Sequence, residues 1–460
     1  MTTKTPTDTT VLNSYNPSTG EIVGSVPVTP VSEINAIIAK ANAALPAWQA
    51  MTPQQRADIL KPAGKVLNDR AEELGKLLAL EQGKPLAEGI GEVEGCASRM
   101  DWENDEVALA VQPEVLKSEG VESTIHYDGY GVCAAITPWN FPLLMPHWTI
   151  VPALIAGNTV VTKPSEQTPL IADEYVKILN QFLPEGVLQI VHGEDDQGKA
   201  LVAGDVHLIA FTGSKNAGQH IMAAAANGLK RLILELGSKD PMIVLEGADL
   251  DAAVTFGVNN ALRNCGQVCV STERIYVQDS IKDEFLTKLV EESKTFTVGD
   301  CNEEGCKVGP MVMREQKDHV VAQINDAINK GAKVLFGNEP MDGNFIAPTV
   351  LDNCNHDMDI MTVETFGPVL CIQTVSDADQ AVALANDSEY GLGAVVFGEE
   401  SIARKVGSQL TAGMIGVNKG IGGATGTPWV GARHSGFSYH SGPMGHRQFC
   451  QVRVVSVNAE

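Results

Sequence analysis

Beyond residue 136 the chain alternates short apolar runs with helical segments, and few architectures accept that rhythm. The runs GNTVVTKP, GVLQIVHG, VHLIAFTG and KRLILELG are bounded by Gly, Pro or charged residues, and helical patterns fill 170–182 and 216–228 between them. A strand with no polar face needs cover on both sides, so the rhythm predicts a parallel α/β sheet wrapped by helices. After Gly237 a second series follows. PMIVLEGAD, ERIYVQ, AKVLFG, GPVLCIQTV, LGAVVFG and MIGVN read as strands, with helices expected at 251–264, 281–296, 313–330 and 377–386. No Pro-rich linker or low-complexity tract separates the two series, which meet near 236–240, and a cleft at such a junction is the expected ligand site.

Other segments belong to neither series. Residues 31–110 carry apolar positions at three- and four-residue steps with carboxylates between them, which predicts scaffold helices. Residues 123–136 (STIHYDGYGVCAAI) and 448–457 (QFCQVRVVSV) read as extended strands that leave the main body. An isolated ribbon is marginal in water, so these strands are expected to pair with a second copy of the chain, giving a homodimer or homotetramer. The expected division is therefore a first lobe from 1–118 and 137–237, a second lobe over 238–434, and an oligomerisation arm from 119–136 and 435–460. A length of 460 residues suits two or three such units.

Charge and cysteine usage narrow the partners. Lys and Arg total 33 against 57 Asp and Glu, a net charge of −24 that repels nucleic acid and anionic membranes. The start MTTKTPTDTTVLN has no apolar core of a leader, and the most apolar stretch, 145–156, is too short to span a bilayer. Nine scattered cysteines, an odd number in a long chain, argue against a disulfide framework and for a reducing cytoplasm.

The motifs point to chemistry between the lobes. The G-x-G-x-x-G dinucleotide fingerprint is absent: Gly89-Ile-Gly91 and Gly420-Ile-Gly422 each begin such a run but read as packing or turn glycines. Gly213 to Gly218 has P-loop spacing without the Lys-Ser/Thr pair, so metal-bound triphosphate is not expected. It follows a strand and precedes a helix, where free amides suit a pyrophosphate. Cys269 follows Gly266 and Gln267, a pair that implies a sharp bend presenting a thiol, whereas Cys265 reads as a buried inert thiol. Glu235 closes an apolar run at the lobe junction, where partial burial raises a carboxyl toward general-base range. Asn140 sits in the stiff turn Thr137-Pro-Trp-Asn-Phe-Pro142, which suits an amide aimed at an oxyanion.

In order and interval, TPWNFP, GNTVVTKPSEQTP, FTGS, ELGSKDP, GQVC and ETFGPV closely resemble the NAD(P)-dependent aldehyde dehydrogenase superfamily, over nearly the whole chain. The resemblance implies two Rossmann-like three-layer α/β lobes, the first NAD-binding and the second catalytic, plus a small β oligomerisation arm. It implies Cys269 as nucleophile, Glu235 as general base and Asn140 as oxyanion donor. For NAD, with NADP possible, it implies contacts from Thr137, Pro138, Trp139, Lys163, Ser165, Glu166, Gly213, Ser214, Leu236, Glu364 and Phe366. Met145, Trp148 and Trp429 correspond to the wall of the substrate tunnel, and no metal is implied. Three departures stand out: Ser238 where a glycine is commoner, Val430 in PWVG, and GFSY after Ser435 where an arginine is usual.

The activity these residues imply is oxidation of an aldehyde to a carboxylic acid with NAD+, through a cysteine thioester that water hydrolyses. Acyl transfer to coenzyme A and a catalytically silent relative are the alternatives. Glu235 argues against the first, because a thiol acceptor needs no strong water-activating carboxylate. The joint presence of Cys269, Glu235 and Asn140 argues against the second.

Overall fold

The computed structural model describes residues 10–458; the polar start at residues 1–9 and the last two residues lie outside the described residues. The first lobe is built on a six-stranded sheet. Its spatial order is Gly436–Phe437, Arg231–Glu235, Leu208–Thr212, Val132–Ile136, Thr159–Lys163 and Leu188–Ile190. All neighbours run parallel except the two-residue edge strand, which returns from the C-terminal region antiparallel to Arg231–Glu235. Taken in chain order, the five parallel strands are doubly wound, and the order reverses between Val132–Ile136 and Leu208–Thr212. Thr159–Lys163 is buried along its whole length, as a strand covered on both faces must be. The apolar stretch after TPWNFP forms the helix Leu144–Ile155, buried in the core beside this sheet.

Scaffold helices Ile34–Gln49, Pro53–Leu60, Pro62–Asp69, Ala71–Gln82 and Leu86–Ala110 fill the amphipathic region. Gly89 has the packing role expected of it, because a Cβ there would stand 2.5 Å from the Gly75 carbonyl of the neighbouring helix. The second lobe carries seven strands ordered Lys333–Phe336, Thr349–Asp352, Val369–Val375, Thr272–Gln278, Asp240–Val244, Gly393–Phe397 and Met414–Val417, parallel but for the first. Among the described residues, no helix is long and apolar enough to cross a membrane.

Strand pairing corrects the sequence reading at several points. Val132–Ile136 does not leave the body: it is a central strand of the first sheet, and its burial explains its apolar composition. The protruding sheet consists of Glu114–Ser118, Val121–Gly129 and Cys450–Asn458. Residues 436–437 therefore belong to the first lobe's sheet and 114–118 to the arm. Thr349–Asp352 and the hairpin Val11–Tyr15 with Ile22–Pro27 were not anticipated. The helix expected over 251–264 ends at Leu262, and a short 3-10 turn, Arg263–Gly266, follows.

Candidate active site

In a doubly wound sheet, ligands bind beyond the carboxyl ends of the strands where the order reverses. Here those ends carry Thr137-Pro138-Trp139-Asn140 and Gly213-Ser214, and a cavity of about 230 Å³ opens between them and the second lobe. Pro138, Trp139, Asn140 and Met145 line it from one side, and Gly213, Ser214 and Leu236 from the next strands. Cys269, Glu364 and Phe366 close it from the second lobe. Phe366 meets Trp139 edge to face, with ring centroids 5.5 Å apart.

The residues fit a dinucleotide. Ser214 caps the helix Lys215–Ala226, whose first turn has no acidic residue to compete with a phosphate. Gly213 leaves space that a Cβ would fill against the Phe211 ring at 2.5 Å, and Gly237 leaves space beside the Glu364 carboxylate, also at 2.5 Å. Thr137 donates its N–H to the Lys163 carbonyl, and its buried hydroxyl has no hydrogen-bond partner. Lys163, Ser165 and Glu166 follow at the end of the adjacent strand, away from the cavity lining, with Lys163 Nζ 3.7 Å from Glu166.

The thiol is presented by an unusual turn. Asn264, Cys265 and Gly266 take φ of 49°, 57° and 69°, three successive left-handed residues. Asn tolerates that region, but Gly266 has a second constraint, because any Cβ would overlap the Gly367 carbonyl of the facing loop. The bend expected from Gly266-Gln267 thus begins two residues earlier and leaves Cys269 only partly buried. Cys265 packs in the core with its sulfur 3.5 Å from Met311 Sδ, consistent with an inert thiol.

Asn140 is locked from both ends. Its Nδ2 donates to the Gln267 carbonyl at 3.1 Å, leaving its second N–H unused in the fold. Its own carbonyl accepts from Asn264 Nδ2 and from Lys84 Nζ, both at 3.0 Å. Lys84, fully buried, also pairs with Glu92 at 2.7 Å, and Glu92 accepts the N–H groups of Leu143 and Leu144. The sequence reading missed Lys84, Glu92 and Asn264 and took Gln267 only as part of a bend, because their partners lie as far as 127 residues away and no local pattern signals them.

Glu235 ends its strand facing Cys269. Burial pushes its carboxyl above the usual range, while the thiol, Trp429 and Thr212 hold part of that rise back. Burial pushes the Cys269 thiol well above its ordinary value, and the Glu235 charge adds to that rise. The thiol therefore favours its protonated form at rest, and the carboxyl binds a proton more readily than a free one. Glu364, pushed up to about 8 by burial and by the nearby Glu273 charge, accepts the Ser238 N–H at 2.7 Å.

Trp429 packs in the small cluster that includes Cys269, whereas Trp148 lies one layer farther out, 5.6 Å from the Trp429 ring centroid. Only Met145 of the three expected tunnel residues therefore lines the thiol's cavity; Trp148 and Trp429 line a second one of about 540 Å³, with Arg99 and Trp102. The departures are accommodated. The Ser238 hydroxyl turns away from the cavity onto Asp240, and Trp429–Val430 pairs with Tyr439–His440 in a short ribbon.

The profile of the Aldehyde dehydrogenase family matches residues 4–455. The chain belongs to the aldehyde dehydrogenase family. It is 36% identical over 458 residues to the chloroplastic betaine aldehyde dehydrogenase of Beta vulgaris, covering 96% of this chain and 92% of that protein. It is 35% identical to the glutarate-semialdehyde dehydrogenase of Pseudomonas putida, covering 96% and 93%. A crystal structure of an Escherichia coli NADP dependent enzyme superposes with a TM-score of 0.94 at 34% identity, over 98% of this chain and 95% of that one. This aldehyde dehydrogenase is thus an NAD(P)-dependent oxidoreductase that oxidises an aldehyde to a carboxylic acid, and the expected α/β architecture is the one observed.

Proposed function

We propose that Cys269 is the nucleophile of this aldehyde dehydrogenase, Glu235 its general base and Asn140 its oxyanion donor. One observation carries the reading: a thiol and a carboxyl, both raised by burial, face each other beside a cavity that also holds a locked amide. The thiol loses its proton to solvent to attack, which is the net proton of the oxidation, and the neighbouring carboxyl of raised proton affinity stands ready as base toward water. The Cys269 sulfur bonds to the carbonyl carbon, and the charge developing on oxygen meets the unused N–H of Asn140. The dinucleotide, when bound, supplies the hydride acceptor that turns this adduct into an acyl thioester on Cys269. Glu235 then takes a proton from water as its oxygen attacks the thioester; the C–S bond breaks, the acid leaves, and Glu235 passes that proton to the departing thiolate. The presence of Glu235 beside the thiol favours water over coenzyme A as acyl acceptor, because a thiol acceptor needs no strong water-activating carboxylate.

The substrate is a small-molecule aldehyde, and the second cavity, beside Trp148 and Trp429, is the approach we assign to it. Glu166 supports a preference for NAD+ over NADP+, because a carboxylate that accepts ribose hydroxyls would repel a 2′-phosphate, an effect that Lys163, 3.7 Å away, would partly offset. Nine unpaired thiols support a reducing, cytoplasmic setting. The protruding sheet supports a homo-oligomer, with Val452, Val454, Val455 and Val457 of its C-terminal strand all exposed, together with Val115 and Leu116. Mass spectrometry of enzyme quenched during turnover tests the chemistry. An acyl adduct on the peptide containing Cys269, and loss of oxidation in Cys269→Ala, are expected; turnover retained by that variant overturns the assignment.

A further inference from the structure

Four residues beyond Cys269, on the strand Thr272–Gln278, stands a carboxylate with no place in the chemistry above. Glu273 is almost completely buried, and so is its ion partner Lys239, with Nζ 2.6 Å from Glu273 Oε2. A buried pair of this kind is expensive in desolvation unless its remaining oxygens and protons are satisfied. Here they are, by the facing loop. Glu273 Oε2 accepts the Thr365 N–H at 2.9 Å and Oε1 accepts the Phe366 N–H at 2.8 Å. Lys239 Nζ donates to Thr365 Oγ1 at 2.7 Å, which donates onward to Gln323 Oε1 at 2.7 Å.

The loop so held is the one that carries Glu364 and Phe366 into the dinucleotide cavity. Phe366 has φ of +51°, a conformation that an aromatic L-residue keeps only when its surroundings over-determine it. Its N–H is fixed by Glu273, its carbonyl accepts from Gln316 Nε2 at 3.2 Å, and its ring abuts Trp139. Ser238, beside Lys239 at the lobe junction, donates its N–H to Glu364 Oε1 at 2.7 Å. One buried ion pair therefore ties together the strand after the nucleophile, the inter-lobe hinge and the cofactor-side loop.

We propose that Glu273, with Lys239, is a positioning residue that sets the Glu364–Phe366 loop against the thiol, acting on dinucleotide binding and hydride-transfer geometry rather than on the nucleophile itself. The inference rests on the assignment of Cys269 and Glu235 to the chemistry and of this cavity to the dinucleotide. The test uses Glu273→Gln, which keeps the shape but offers one acceptor oxygen where two N–H groups and an ammonium need two. The readouts are the NAD+ dissociation constant, KM and kcat for aldehyde oxidation, and hydrolysis of 4-nitrophenyl acetate without dinucleotide. That ester requires the thiol and the base but no hydride acceptor.

We expect the NAD+ dissociation constant and KM to rise by roughly tenfold or more and kcat for oxidation to fall, because charge-assisted hydrogen bonds are lost. Ester hydrolysis should stay within about twofold, the scatter of an unperturbed site. Thr365→Val should show the same split more weakly, and Thr365→Ser, which keeps the hydroxyl, should restore wild-type values. This pair carries the test should Glu273→Gln not fold. Unchanged NAD+ binding in Glu273→Gln, or equal losses of ester hydrolysis and oxidation, overturns the proposal. Ester hydrolysis that survives Cys269→Ala overturns instead the chemistry on which it rests.

Discussion

Replacing Gly266 by alanine should leave a folded protein that oxidises aldehydes very poorly. Two independent constraints meet at this residue. Its φ of +69° lies in the left-handed region, where an L-residue costs about 1–2 kcal/mol more than glycine. A Cβ would also overlap the Gly367 carbonyl and stand 2.8 Å from Pro368 N, against the 3.4 Å at which ordinary van der Waals contact begins. The nucleophile turn and the Glu364–Phe366 loop must then part by at least 0.6 Å at the proline, and by more at the carbonyl. A misplacement approaching 1 Å costs on the order of 100-fold in rate when reacting groups need near-attack geometry. The assay is kcat/KM for a good aldehyde, alongside a thermal melt and the alkylation rate of Cys269 by iodoacetamide. We expect a loss of about 100-fold in kcat/KM, a lowered Tm and altered thiol reactivity. Gly91→Ala is the control, because that glycine lies within the helix Leu86–Ala110 with no atom near its Cβ position, and alanine should be neutral or slightly stabilising. Activity within threefold of wild type in Gly266→Ala would refute the claim that close approach of these two loops sets the geometry.

Three further outcomes follow from the same structure. Burial keeps the Cys269 thiol high in Glu235→Gln, but loss of the facing carboxylate removes part of the rise, so the pH midpoint of iodoacetamide alkylation should move acid; the same variant should show a burst of NADH and then slow turnover, and an unmoved midpoint would mean that the carboxyl does not govern the thiol. Asp240 is pushed by burial from 3.8 to about 8, so the native state holds a proton the unfolded chain has lost, and its contribution to stability is full below pH 3.8 and lost as pH rises through about 8. Asp240→Asn removes that loss, and its Oδ1 can still accept from both Ser238 Oγ and Gly393 N–H, so the melt should rise relative to wild type at pH 8.5; equal melts there would place the proton elsewhere. Deletion of 446–460 removes the strand Cys450–Asn458 and should give insoluble or monomeric, inactive protein by light scattering, whereas an active oligomer would show that the arm does not bridge subunits.

Much of this enzyme was legible in the chain because its signals are local. A doubly covered strand must be apolar at successive positions, so TVVTK and AVVF announce themselves whatever surrounds them. The bend before Cys269 shows in Gly266, and the motifs around Asn140, Glu235 and Cys269 are short enough to be read in place. What tertiary structure decided is what pairs across distance. Val132–Ile136 has the composition of a strand wherever it is placed, and only its partners make it the centre of a sheet rather than part of the arm. Gly436–Phe437 is too short to carry a period, and pairing with Arg231–Glu235 alone makes it a strand. Lys84, Glu92 and the Lys239–Glu273 pair look like surface charges in sequence, since no alternation marks a charge for burial; each is buried because opposite charges, and N–H groups or carbonyls elsewhere in the chain, compensate its desolvation. Sequence periodicity records which face of an element is apolar, but the partner that neutralises a buried charge exists only once the chain has folded.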